Sequence, residues 1–120
     1  MICVITLYDI DTSNVAPFSS AFDGPWKRIS SRLPGQIHTI LLRRSTHLLF
    51  FLVQDFWESE RDYANAERNA EVYSFRQSLR TLAVCQQSMG IFRFRDQWEK
   101  DLNSDDTNRM PSELRSWQMN

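Results

Sequence analysis

The sequence predicts an α+β domain of the order strand, helix, strand, strand, helix, strand, closed into one four-stranded antiparallel sheet. Three observations carry this. Short β-branched and aromatic runs lie at both ends of the first 95 residues and twice in the middle. Two longer stretches between them repeat their apolar residues at helical multiples. The segment LLFFLVQDFWESERDYANAERN, residues 48–69, changes from one period to the other within a few residues.

The first strand is ICVITLY, followed by the turn formers DIDTSN. From Val15 onward Phe18, Phe22, Ile29 and Leu33 fall on one helical stripe with Trp26 beside it. The DGP at 23–25 interrupts that stripe, and Pro25 is tolerated in a first turn, where its missing N–H is no loss. The expectation is a short lead-in, then a main helix capped by Asp23 or Gly24 and running to about Leu33, where LPGQ stops it.

IHTILLRR and HLLFFLVQDFW read as a hairpin with its tight turn near RST. Centring that turn on Arg44 and Ser45 places His47 opposite Leu42 and His38 opposite Phe51. His38, Ile40, Leu42, His47, Leu49, Phe51, Val53, Asp55 and Trp57 then share one face, and Leu41, Leu48, Phe50 and Leu52 share the other. Both faces are apolar. Ser59 with Asp62 three residues on is a capping-box variant opening the next helix. Tyr63, Ala66, Ala70 and Tyr73 make one stripe and Val72, Phe75, Leu79 and Leu82 a rotated one, which a break near Asn69 reconciles. VCQQSMGIFRF is the fourth strand.

This order is the split βαβ, or ferredoxin-like, arrangement, in which helices cover one face of the sheet. The other face is too apolar to stand in water, and a second copy of the same sheet is its economical cover, so a homodimer is expected. Residues 1–95 form the domain. Residues 96–120 form a polar tail with a short helix near 111–118, in which Trp98 and Trp117 suit docking.

Composition narrows the function. A chain of 120 residues, 42% hydrophobic and 24% charged, is one globular domain. Three glycines leave almost no room for a phosphate-binding loop, and a net charge of -1 argues against nucleic acid or an anionic membrane as partner. No apolar run is long enough for a membrane span, the N-terminus does not read as a secretory signal, and the location expected is the cytoplasm. Cys3 and Cys85 are expected as two buried free thiols at opposite ends of the sheet, which suits a reducing compartment. Two histidines in different strands and two separated cysteines give no metal-ligand spacing. His38, in a strand among apolar neighbours, is a candidate general base, and His47 reads as solvated.

A helix ended by Pro-Gly in LPGQIHTILLRR, a hairpin, and the Trp-Glu-Ser of FWESERDYANAERN resemble the antibiotic biosynthesis monooxygenase-like family of dimeric α/β barrels, over about residues 1–95. The resemblance implies a small-molecule oxygenase, independent of any cofactor, acting on an aromatic or polyketide-like substrate. It is similar to the quinone-forming branch in the Trp ending the third strand, Trp57, in Tyr63, and in an Arg of the second helical region, nearest Arg76. The Asn that branch carries four residues before the Trp is Val53 here. The haem-degrading branch needs a His late in the second helical region, and RNAEVYSFRQSLRTL has none. The catalytic candidates are thus Trp57, Tyr63, Arg76 and His38. Two other classes remain open: a non-catalytic binding or accessory protein, and an isomerase or lyase with His38 as base.

Overall fold

A computed structural model describes residues 1–47 and 49–95 of the chain. Leu48, the tail from residue 96, its expected helix, Trp98 and Trp117 lie outside the described residues.

Four strands, β1 (Ile2–Ile10), β2 (Gln36–Arg43), β3 (Phe50–Trp57) and β4 (Ala83–Arg93), form one sheet in the order β2-β3-β1-β4. Every neighbouring pair is antiparallel. The helical connections are α1 (Val15–Ala21) and α2 (Lys27–Ser30), then α3 (Glu60–Glu67) and α4 (Ala70–Leu82). The architecture is therefore the expected α+β, ferredoxin-like βαββαβ.

Register decides which residues meet the helices. Ile2, Val4, Thr6 and Tyr8 of β1 pair with Trp57, Asp55, Val53 and Phe51 of β3. Ile2, Val4 and Tyr8 are buried with these four β3 residues, and this parity faces the helices. Phe18 lies fully buried at the centre, its ring 5.1 Å from Tyr8, 5.4 Å from Phe22 and 5.0 Å from Phe51. Phe75 and Leu79 of α4 close the layer. The opposite parity carries Cys3, Ile5 and Leu7 of β1, Leu52 and Phe56 of β3, and Phe92 of β4, none of them under a helix.

The hairpin differs from the expected one. The connection between Arg43 and Phe50 is not a two-residue turn but longer, closed by an Arg44 N–H donating to the Phe50 carbonyl at 2.9 Å. His38 consequently pairs with Phe56 rather than Phe51, and Leu41 pairs with Val53. A change in parity turns the β2 side chains from His38 to Arg43 over, while the irregularity before His38 leaves Gln36 opposite Trp57. Leu41 thus packs on the core, whereas His38, Ile40 and Leu42 join Leu52 and Phe56 on the uncovered face.

The first helical region also departs from expectation. Asp23 caps no new helix. The helix runs on through a π-helical turn at Phe22–Trp26 that holds Pro25 inside it. A proline in a regular helix clashes with the carbonyl four residues earlier, and widening the turn relieves that clash. The break in the second region lies where the two stripes disagree: Asn69 Oδ1 accepts from the N–H groups of Glu71, at 2.8 Å, and Val72, at 3.3 Å, and so caps α4.

The Pro-Gly and Trp-Glu-Ser segments meet in space. Gly35, at φ +79°, turns the chain into β2 and its carbonyl accepts from the Glu58 N–H at 2.8 Å. A Cβ at Gly35 would overlap the side chain of Asp62. Asp62 in turn donates its N–H to Ser59 Oγ, the cap of α3, at 3.1 Å.

Cys3 and Cys85 lie at opposite ends of the sheet, opposite Phe92 and Asp9 respectively, and both are free. Only Cys3 is buried; Cys85 is exposed, because β4 is an edge strand with no cover on that side.

Candidate functional site

The helix-facing parity of β3 holds one charged residue, Asp55, which is 3% exposed. A carboxylate so placed needs partners. Thr39, its cross-strand neighbour, donates its hydroxyl to Asp55 Oδ1 at 2.6 Å. The same hydroxyl oxygen accepts from Trp26 Nε1 at 2.7 Å and from Gln36 Nε2 at 3.1 Å. One proton and two lone pairs are thereby all used, which fixes the direction of the whole chain of bonds. The π-helical turn is what aims the Trp26 indole at β2.

Arg76 reaches the same carboxylate from α4. Its Nη2 lies 3.8 Å from Asp55 Oδ2, and its Nε donates to Glu67 Oε1 of α3 at 2.8 Å. The guanidinium sits over the Trp26 ring, 5.6 Å from the centroid. Burial works against the Arg76 charge, but Asp55 and Glu67 outweigh it, so the proton is held more tightly than usual. Burial dominates at Asp55 and pushes its carboxyl above the ordinary range, against the opposing pull of Arg76 and the Thr39 hydrogen bond.

Trp57 ends β3 with no exposed surface, and its ring meets Tyr63 of α3 edge-on at 5.9 Å. Its indole Nε1 is buried and, among the described residues, has no acceptor. Tyr63 is half-buried, and burial, then Glu67, raises its phenol. Tyr8 is pushed up to about 12, chiefly by burial. Asp55, Glu67 and Arg76 all act on the titration of both tyrosines, so the five groups form one electrostatic unit between sheet and helices.

Three of the four sequence candidates, Trp57, Tyr63 and Arg76, therefore lie on this side of the sheet. The fourth does not: His38 is exposed on the uncovered face, stacked on Phe56 at 4.4 Å. Asp55, Glu67, Tyr8, Thr39 and Trp26 belong to the unit without having been singled out. One signal for Asp55 stood in the sequence, as a lone acid on the parity of Phe51, Val53 and Trp57.

A groove of about 500 Å³ runs between the Phe22–Ser31 stretch and β2, with Trp26, Gln36 and Thr39 among its walls and Lys27 and Asp23 at its side. One hydroxyl, that of Thr39, separates it from Asp55. A second hollow of about 530 Å³ lies over Cys3, Gln54, Phe56, Phe92 and Phe94 on the uncovered face. Neither is lined by Trp57, Tyr63 or Arg76. Among the described residues no three His, Cys, Asp or Glu side chains cluster as metal ligands, and no helix is long and apolar enough to cross a membrane.

No protein-family model and no curated protein matches the chain. Solved structures do. SnoaB, a cofactor-independent oxygenase from Streptomyces nogalater, superposes with a TM-score of 0.70 at 19% identity, over 82% of this chain and 97% of that one. The ActVA-Orf6 monooxygenase of Streptomyces coelicolor, in complex with nanaomycin D, gives 0.72 at 15% identity, over 83% and 92%. A Nitrosomonas europaea protein assigned as an antibiotic biosynthesis monooxygenase gives 0.67 at 17%, over 78% and 98%. The likeness spans nearly the whole of each of these proteins at low identity, and the chain thus has the fold of the antibiotic biosynthesis monooxygenase-like proteins.

Proposed function

We propose that the protein is a cofactor-independent monooxygenase that turns an electron-rich phenol, of aromatic or polyketide-like skeleton, into a quinone. One dioxygen is consumed: one atom enters the ring and the other leaves as water, so phenol plus O₂ gives quinone plus H₂O. The substrate supplies the electrons as its phenolate, and the protein's work is to bind the ring, hold the anion and exclude water.

The observation that carries this reading is the orphaned Trp57 indole N–H beside Tyr63, in a unit that also holds Arg76. A buried donor without an acceptor costs stability and is expected where a ligand oxygen completes it. Arg76 commits Nε to Glu67 and turns Nη2 toward Asp55. A ring enters by displacing Tyr63 from the Trp57 edge. That movement takes a half-buried ring off the core, and the binding of the substrate ring in its place makes up the lost contact. The likeness to SnoaB and ActVA-Orf6 supports the same reaction class.

The working form is a homodimer in the cytoplasm. Leu42 and Phe92 are nearly half exposed on the uncovered face beside Leu7, Leu52 and Phe56, which makes an apolar surface that a second sheet would cover. Light scattering at micromolar concentration tests this, with a monomer counting against it.

The test of activity is oxygen uptake with a panel of hydroxynaphthalenes and hydroxyanthrones. Trp57→Phe and Arg76→Ala are each expected to lower kcat by about 10²-fold, the scale of one lost oxyanion donor. Full activity in both variants removes these residues from the site. A second reading, a binding protein without turnover, is favoured by Val53, which stands where the quinone-forming branch carries an Asn. It predicts a rise in melting temperature with the same phenols and no oxygen uptake.

A further inference from the structure

We propose that Asp55 is the proton acceptor of this site, taking the hydroxyl proton of a bound phenol while Arg76 holds the oxygen left behind. The proposal rests on the oxygenase reading above. One O–H bond breaks on the phenol and one forms on the Asp55 carboxylate; no electron moves in this step, and dioxygen is reduced afterwards by the phenolate.

Charge balance is the first argument. The unit contains one cation, Arg76, and two acids, Asp55 and Glu67. With both acids ionised its net charge is negative, a setting that repels a phenolate. Moving the phenol proton onto Asp55 removes that repulsion in the same event that creates the anion. The total charge of the buried site is unchanged, so no ion has to be brought in from solvent.

Geometry is the second. Asp55 Oδ2 and Arg76 Nη2 are 3.8 Å apart, too far for a hydrogen bond to each other. An oxygen set to one side of that line can stand about 2.8 Å from both atoms, at hydrogen-bonding distance. A phenol hydroxyl there donates to Asp55 and accepts from Arg76 at once, which is the arrangement proton transfer needs. The other carboxylate oxygen is held by Thr39, itself locked by Trp26 and Gln36, so Oδ2 is presented toward the guanidinium.

Elimination is the third. The chain has two histidines. His38 borders the groove along β2 but pairs with Phe56 on the uncovered face and stacks on it, and His47 is at the hairpin end, 3.9 Å from Asp9. Glu67 is committed to Arg76 Nε at 2.8 Å. Facing Asp55 are Arg76 from α4, Glu67 from α3, and Tyr8 from β1, with Tyr63 and Cys3 also acting on it or acted on by it. Both phenols hold their protons above their ordinary range, which leaves Asp55 as the one carboxyl of the unit with an oxygen turned toward Arg76 and not already bonded to it.

The test uses 4-nitrophenol, whose phenolate absorbs in the visible, with the full-length protein and Asp55→Asn. Asparagine keeps the acceptor for Thr39 but cannot take a proton. Below the pKa of free 4-nitrophenol, wild type is expected to show the phenolate band of the bound probe with no proton released to a weak buffer. Asp55→Asn is expected to bind the probe without the band. An equal band in both proteins, a band accompanied by full proton release in wild type, or no binding to wild type overturns the proposal. With a turned-over substrate, Asp55→Asn is expected to lose about 10²–10⁴-fold in kcat with KM little changed, and to recover as pH rises and the phenol ionises unaided. Failure of the oxygenase reading shows separately, as absence of oxygen uptake while the Asp55-dependent band persists. Should Asp55→Asn not fold, Thr39→Val serves. Loss of a hydrogen bond that favours the carboxylate makes Asp55 the stronger base, so at one pH the bound probe is expected to show more of the phenolate band than in wild type, and a weaker band overturns the proposal.

Discussion

Gly35→Ala tests the contact that joins the Pro-Gly turn to the start of α3. Gly35 sits at φ +79°, a conformation that costs an L-residue roughly 1–2 kcal/mol. The new methyl would also overlap Asp62 Cγ and Oδ2, so that side chain must leave its place beside Ser59 Oγ, 2.9 Å away. Disturbing the cap of α3 costs about 1 kcal/mol. The single substitution is therefore expected to lose about 2–3 kcal/mol, the sum of the two effects. Asp62→Gly separates them, since it removes all the overlapping atoms, the Cβ included, and leaves the backbone angle at Gly35. In the Asp62→Gly background Gly35→Ala should cost only about 1–2 kcal/mol, a coupling of about 1 kcal/mol. Urea unfolding of the four proteins of this cycle at one pH measures it. Equal costs in both backgrounds would refute the claim that the turn and the α3 cap are packed against each other.

Three further outcomes follow from the same contacts. Phe18→Ala, at a fully buried ring meeting Tyr8, Phe22 and Phe51, should cost about 3–5 kcal/mol by urea unfolding, and a loss under 1 kcal/mol would contradict its central place. Thr39→Val strands donors on Trp26 and Gln36 and removes one from Asp55; a loss of about 2–3 kcal/mol is expected, with Thr39→Ser largely sparing it. Asp55 has its folded-state pKa raised by burial, so the folded protein keeps a proton that the unfolded chain has released. Wild-type stability should accordingly fall as pH rises from the unfolded value, about 3.9, toward the folded one, and then level off. Asp55→Asn should lack that decline, and a decline of the same slope in the variant would assign it to another group.

The order of elements was legible because each is announced by a change of period or by a turn residue with a mechanical role. The apolar run to Trp57 switches to helical spacing at Ser59, and the two misaligned stripes either side of Asn69 require the break that Asn69 caps. Strand register was not legible. Residues 44–46 look like a tight turn, whereas the chain uses a longer connection between Arg43 and Phe50, and nothing local distinguishes the two. That single difference carries His38 from the helix-facing side to the uncovered one. Pro25 misled for a related reason, since a proline that usually begins a helix is here absorbed by a wide turn. The candidate site was half legible. Trp57, Tyr63 and Arg76 were marked by resemblance, whereas Asp55 was placed on the face of Phe51, Val53 and Trp57 without being singled out, although its charge there was a signal. The Glu67–Arg76 bond crosses the break between α3 and α4, a spacing that helical periodicity does not reveal.

The most direct test of the site is a co-crystal structure with a dihydroxynaphthalene that raises the melting temperature. The account predicts the ring against Trp57, with Tyr63 displaced and one ring hydroxyl within hydrogen-bonding distance of both Asp55 Oδ2 and Arg76 Nη2. A ring seated instead in the groove beside Trp26 and Lys27, with Tyr63 unmoved on Trp57, would contradict it.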